Sequence, residues 1–155
     1  MLGDRGDVIR PAEHSGIAEP AKMSRFMTSL VVKIANDTDD GMWEVEVPLA
    51  YESDVAKQII IVPPGFKTDF ASVPRLPIIY EAFGNHAAEA AVVHDYLYTT
   101  KIVTRDMADA VLREAAGVQG VSAWRAWCIW AGVRIGGGAY WDQQDNEPPY
   151  LPGTP

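Results

Sequence analysis

The feature that most restricts this chain is a charge pair set inside an apolar helical pattern. Residues 86–98 read HAAEAAVVHDYLY, with His94 and Asp95 adjacent in the second half. Ionisable groups in apolar surroundings are costly unless paired, so the fold has to deliver partners to that point. Ala87, Ala90, Ala91 and Val92 give the helix a slim surface that neighbours can approach closely. Just upstream, Thr68, Asp69 and Ser72 form a second compact polar set, in a loop bounded by prolines.

The segments before that loop have strand character. Phe26 to Ile34 is β-rich, and the NDTDDG that follows Ala35 is a strong turn signal. Trp43 to Tyr51 alternates, with Trp43, Val45, Val47 and Leu49 on one side and Glu44 and Glu46 on the other. Pro48 within it marks an edge or a bulge. Gln58 to Val62 is a further strand, closed by Pro63-Pro64-Gly65, and Phe66 to Asp69 resumes extended structure. Together these predict three or four strands in one small antiparallel sheet.

Helices follow. Asn85 is the expected N-cap of a helix over 86–98. Thr104 caps a second, Arg105 to Ala116, with Met107, Val111, Leu112 and Ala115 facing inward and Gly117 ending it. Ser122 opens a third, carrying Trp124, Trp127, Trp130, Ala131 and Ile135 and stopped by Gly136-Gly137-Gly138. Trp127, Ala131 and Ile135 are expected to cover the sheet. The predicted architecture is therefore α+β: a small antiparallel β-sheet followed by three packed helices. One domain over 26–141 is flanked by extended arms at 1–25 and 142–155, where prolines and polar residues follow no period.

Size and charge exclude several functions. A chain of 155 residues can bury a core of its own. A net charge of −8 argues against binding nucleic acid through its phosphates. Cys128 is the sole cysteine, so neither an internal disulfide nor a cysteine metal site is expected, which fits a cytoplasmic origin. The opening MLGDRGDVIRPAEHSG lacks the apolar core of a signal peptide. The most apolar helical run, Ala123 to Ile135, is too short for a transmembrane segment and carries Arg125 and Arg134.

His94 and Tyr98 are four apart and share a helix face, with Asp95 about 100° round. Histidine moves protons at neutral pH, and a carboxylate can orient it or hold a cation. An adjacent His and Asp do not readily bond each other on a regular helix. The chemical reading makes His94 a general base beside Tyr98 and Asp95 a cation ligand together with Asp69. A distant carboxylate, Asp109 or Asp69, then orients the imidazole. The short link from Thr99 to Val103 makes the two helices antiparallel neighbours and brings Asp109 into range. The structural reading has the same histidine stitching two helices together, while Asp69 and Ser72 serve turns and caps. His14 and His86 read as exposed arm and helix-start residues. The WRAWCIWAGVR helix suits an interfacial membrane role or core packing, with packing favoured; Trp124, Trp130, Tyr140 and Trp141 remain for a partner surface.

In order and spacing, VPPGFKTDFASVPRLP, AAVVHDYLYTT, TRDMADAVLREA and WRAWCIWAGVRIGG resemble the phage and prophage family catalogued as domain of unknown function 1353, over roughly Phe26 to Trp141. Asp69, Ser72, Pro74, His94, Asp95, Tyr98 and Asp109 are the positions matching its motif. The resemblance implies a tailed-phage or prophage protein, made in the host cytoplasm and virion-associated, whose arms contact other phage structural proteins. HDYLY is also similar to the His-Asp-x-x-Tyr helix of secreted phospholipases A2. That likeness implies that His94 activates water, Asp95 holds calcium and Asp109 orients the histidine. The disulfides and glycine-rich calcium loop of those enzymes are missing here, so a divalent cation, calcium or zinc, would need oxygens from Lys67 to Ser72. Two functions are carried forward: a structural or accessory particle component of the tail or head-tail region, and a metal-assisted hydrolase of host-envelope lipid or cell-wall peptide.

Overall fold

The structure, a computed structural model, describes residues 23–35, 42–70 and 87–143. Six short strands come first: β1 Arg25–Phe26, β2 Val32–Ile34, β3 Trp43–Val45, β4 Leu49–Ser53, β5 Gln58–Val62 and β6 Lys67–Thr68. They form two antiparallel three-stranded sheets, β1-β4-β5 and β2-β3-β6, instead of the single sheet expected.

The reason is that both long extended segments break and cross between sheets. The first breaks between Phe26 and Val32, the second between Val45 and Leu49 at the predicted Pro48. Proline has no N–H for a ladder, so the neighbouring groups need another route. Thr28 provides it: its hydroxyl donates to the Pro48 carbonyl at 2.9 Å and accepts the Ala50 N–H at 2.8 Å. Val47, expected inward, is exposed, whereas Val45 and Leu49 on either side of the break are fully buried. A hydrogen-bonded turn with Phe66 N–H on the Pro63 carbonyl closes β5, and Gly65 takes the positive φ of 84° that its third position requires.

Four helices follow: α1 Ala88–Thr100, α2 Arg105–Val118, α3 Ala123–Gly136 and the short α4 Gly138–Gln143. The expected cap Asn85 lies outside the described residues. Within them the first turn of α1 is served from another helix: Gln119, at the end of α2, accepts the Ala90 N–H and donates to Glu89. Thr104 caps α2 as predicted, its hydroxyl accepting the Met107 N–H at 3.3 Å. Gly117 does not end α2, which continues to Val118; the left-handed turn falls to Gly120, at φ 85°.

α1 packs on β4 and β5, and α2 on β1 and β4. Between them lies the core, built on Leu49, Tyr51, Ile60, Val62, Phe66, Leu97, Val111 and Leu112. Each such aliphatic side chain contributes about 1.5–3 kcal/mol by leaving water. With that sheet already covered, α3 packs on α2 and α4. Its buried stripe is Ala126, Ile129 and Val133, which corrects the expectation that Trp127, Ala131 and Ile135 face the sheet. Trp124 is 69% exposed and Ile135 88%.

The glycine run ends α3 as expected but starts α4, which returns Tyr140 and Trp141 against Tyr98. A Cβ at Gly137 would lie 2.6 Å from the Val133 carbonyl and 2.9 Å from the Tyr98 hydroxyl, so only glycine fits. The outer parts of both expected arms, 1–22 and 144–155, lie outside the described residues. Ser24 and Arg25 already belong to the body.

One carboxylate joins α2 to the β1-β4-β5 sheet. Glu114 Oε1 accepts Ser24 Oγ at 2.6 Å and Val55 N–H at 2.9 Å, while Oε2 accepts Tyr51 Oη at 2.9 Å and Ser53 Oγ at 2.7 Å. Burial, together with that carboxylate, pushes the Tyr51 phenol well above its usual range. Glu114→Ala should destabilise the protein by about 2–4 kcal/mol in urea unfolding, because buried donors lose their acceptor. Glu114→Gln should retain roughly half of that.

Candidate functional site

The left-handed Lys101 ends α1, and a short link turns the chain back into α2. This antiparallel pairing sets Asp109 of α2 against the His94–Tyr98 face of α1. His94 Nε2 lies 3.0 Å from Asp109 Oδ1, and the Tyr98 hydroxyl donates to the same oxygen at 2.5 Å. The two α1 rings pack at 4.1 Å between centroids. Of the two carboxylates considered for the imidazole, Asp109 is the one on Nε2.

α3 completes the cluster. Arg134 Nη1 donates to Asp109 Oδ2 at 3.1 Å and also to Asp106. Arg105, one turn before Asp109, reaches the Tyr98 hydroxyl through Nε at 3.3 Å. Its Nη2 donates to the Val133 and Arg134 carbonyls at 2.9 and 2.8 Å, meeting the negative end of the α3 dipole. His94, Tyr98 and Asp109 show 0% exposure, while Arg105 and Arg134, which bound the cluster on its outer side, stay partly exposed.

Asp95 does a separate job. It is 3% exposed and accepts the hydroxyl of Thr68, itself 2% exposed on β6, and that hydroxyl in turn accepts the Phe70 N–H at 3.0 Å. Two adjacent residues thus face two directions: His94 ties α1 to α2 and α3, and Asp95 ties α1 to the β2-β3-β6 sheet. Asp69 follows Thr68 directly and is half-buried. Ser72, Pro74, His14 and His86 lie outside the described residues. Among the described residues no three His, Cys, Asp or Glu side chains converge as a metal site. Sequence reasoning missed Arg105 and Arg134. The i,i+4 spacing of Arg105 and Asp109 was an available signal; Arg134 had none, since its reach depends on how α3 docks.

Burial lowers the His94 pKa below 6.5, against the opposing pull of Asp109. Burial also works to raise Asp109, but hydrogen bonds from His94, Tyr98 and Arg134 outweigh it and hold the carboxyl below 3.8. With the imidazole neutral and Asp109 ionised, Nε2 carries the proton and donates to the carboxylate. Tyr98 is pushed well above its usual range, by burial first and then by Asp109.

Both shifts make acid destabilising. Below pH 6.5 the unfolded chain protonates His94 while the folded one resists, so stability is full above 6.5 and falls as pH drops. A second loss begins below 3.8, where the unfolded chain protonates Asp109. Melting temperatures measured across these ranges should show both declines, and His94→Gln should remove the first.

The model of a family described as "Protein of unknown function (DUF1353)" matches residues 43–133, from β3 to within α3. The match contains Thr68, His94, Asp95, Tyr98, Arg105 and Asp109 and stops one residue before Arg134. No curated protein and no solved structure matches the chain. The span takes in more than half of the sequence, so this chain belongs to the DUF1353 family.

Proposed function

We propose that the protein is a structural or accessory component of a tailed-phage particle, in the tail or head-tail region, and that its His–Asp centre is a structural fastening. The observation that carries the structural half is the absence of any exposure at His94 and Asp109, whose bonds run to other helices of the same chain. A substrate has no route to atoms so enclosed. Support for the particle half is the resemblance of the TDFASVP and HDYLY segments to phage and prophage proteins, together with an acidic body that carries exposed tryptophans. No helix among the described residues is long and apolar enough to cross a membrane.

A second reading rests on one observation, the carboxylate of Asp109 3.0 Å from Nε2 of His94. That is the arrangement of a general base. It would make the protein a hydrolase of host-envelope lipid or cell-wall peptide, with His94 as the general base. Asp95 and Asp69 would then be the carboxylates facing a divalent cation.

The two readings separate in one set of measurements. Mass spectrometry of purified particles should find the chain at fixed stoichiometry; its absence overturns the particle assignment. His94→Gln should lower stability by about 3 kcal/mol, since it breaks a buried hydrogen-bonded pair. Incorporation should fall only in step with that lost stability. Normal incorporation combined with loss of envelope-degrading activity would instead establish the hydrolase.

A further inference from the structure

α3 is apolar nearly all round, yet the core uses only one side of it. Ala126, Ile129 and Val133 pack inward. At 100° per residue, Trp124, Trp127 and Ile135 fall within about 40° of Ala131, on the side turned away from that stripe. Trp124 and Trp127 stack with centroids 5.5 Å apart and planes 16° from parallel, so the two indoles project as one unit. The strip runs about 16 Å along the helix, at 1.5 Å per residue from Trp124 to Ile135. A helix with apolar residues on every side is ordinarily covered on every side, and this side is left in water.

The charge available beside the strip is positive. The chain has 21 acidic residues, but none between Glu114 and Asp142. Of the two charges on α3, Arg134 is occupied by Asp106 and Asp109, while Arg125 is exposed, about 120° round from Ala131. The opposite flank opens into a groove of about 540 Å³ between α2 and α3, lined by Ala123, Ala126 and Trp130, with the exposed Arg113 beside it. Glu114 also borders that groove, but its carboxylate is taken up by Ser24, Tyr51, Ser53 and Val55. Exposed cations thus stand on both flanks of an aromatic strip.

We propose that this side of α3 docks on the surface of a phospholipid bilayer, with Trp124, Trp127 and Ile135 at headgroup level and Arg125 and Arg113 on lipid phosphates. Indole rings favour that boundary, where the ring body leaves water and the N–H stays hydrated. A helix so equipped lies in the plane of the interface with its apolar side buried about 5–10 Å. Area decides against a folded partner. The exposed parts of Trp124 and Trp127, 69% and 44% of each residue, supply only about 280 Å², taking roughly 250 Å² for a whole side chain, against the ~800 Å² per partner of a standard interface. A fluid bilayer asks for no matching shape and no such minimum. The acidic remainder of the chain is screened beyond about 8 Å at physiological salt. Since no helix among the described residues is long and apolar enough to cross a membrane, the contact is peripheral. It is also weak, on the order of 10³ M⁻¹, below the ~10⁴ M⁻¹ of a single myristoyl chain. This inference depends neither on the role assigned to His94 nor on the particle assignment.

Flotation of the full chain with phosphatidylcholine–phosphatidylglycerol vesicles, at millimolar lipid, reads the result. The wild type should float with the vesicles, and its tryptophan emission should shift to the blue and be quenched by lipid brominated near the headgroup. The double variant Trp124→Ser, Trp127→Ser should lower partitioning at least tenfold and lose that quenching. Arg125→Gln and Arg113→Gln should each lower it about fivefold and reduce the preference for phosphatidylglycerol over phosphatidylcholine alone. Ile59→Ser, an exposed apolar side chain on β5, should leave it unchanged. All of these positions are exposed, and each variant should stay folded by circular dichroism. A wild type that stays unbound at millimolar lipid overturns the inference, as does binding that survives loss of both tryptophans. An equal loss in Ile59→Ser would mean unspecific hydrophobic adhesion and overturns it too. A concentration-dependent dimer in sedimentation velocity, with no vesicle binding, would instead assign the strip to a second copy.

Discussion

An ionised carboxylate without access to water has to be met from inside the protein, and Asp109 is met from two other helices. His94 and Tyr98 approach one oxygen from α1, and Arg134 approaches the other from α3. Removing one partner from such a cluster leaves buried charge uncompensated, which costs several kcal/mol, so the three helices hold one another in a single arrangement. Arg105 reinforces it by serving both Tyr98 and the carbonyls at the end of α3. The rotation of α3 follows. With Arg134 directed at Asp109 and Val133 inward, Trp124, Trp127 and Ile135 are carried to the outside. Burial of the charge and exposure of the tryptophans are two results of one docking.

Much of this could be read from the residues because it depends on local chemistry. The Thr104 cap, the Pro63-Pro64-Gly65 closure and the break at Pro48 are set by capping, turn and proline rules that act over a few residues. The His94–Tyr98 face and its approach to Asp109 follow from helical spacing and a short link. What could not be read is set by competition between distant elements. An alternating run does not reveal which sheet each half joins, so one sheet was expected where two exist. A helix as apolar as α3 offers two plausible inner faces, and bulk favoured the tryptophan side. The small Ala126 side won because α1 and α2 had already covered the sheet. Glu114 was illegible for the same reason, since its four donors come from residues 24 to 55.

The polar centres and the outer surface divide the work of the molecule. His94–Asp109, Asp95–Thr68 and Glu114 with its donors each join an α-helix to a different neighbour, and each is largely consumed in doing so. Reactivity is not what such placement favours: a histidine with every face covered contributes geometry more readily than proton transfer. The chemical variety left for contact with other molecules lies on α3 and along the groove beside it, where large rings stand in water.

The link between Gln119 and the first turn of α1 has a kinetic side. Helix ends ordinarily fray one by one, each opening at little cost to the rest. Here the start of α1 borrows its acceptor from the last turn of α2. The Ala90 amide is therefore released to solvent when the far end of the neighbouring helix lets go. By that coupling the two termini are expected to exchange their amide hydrogens as one cooperative unit.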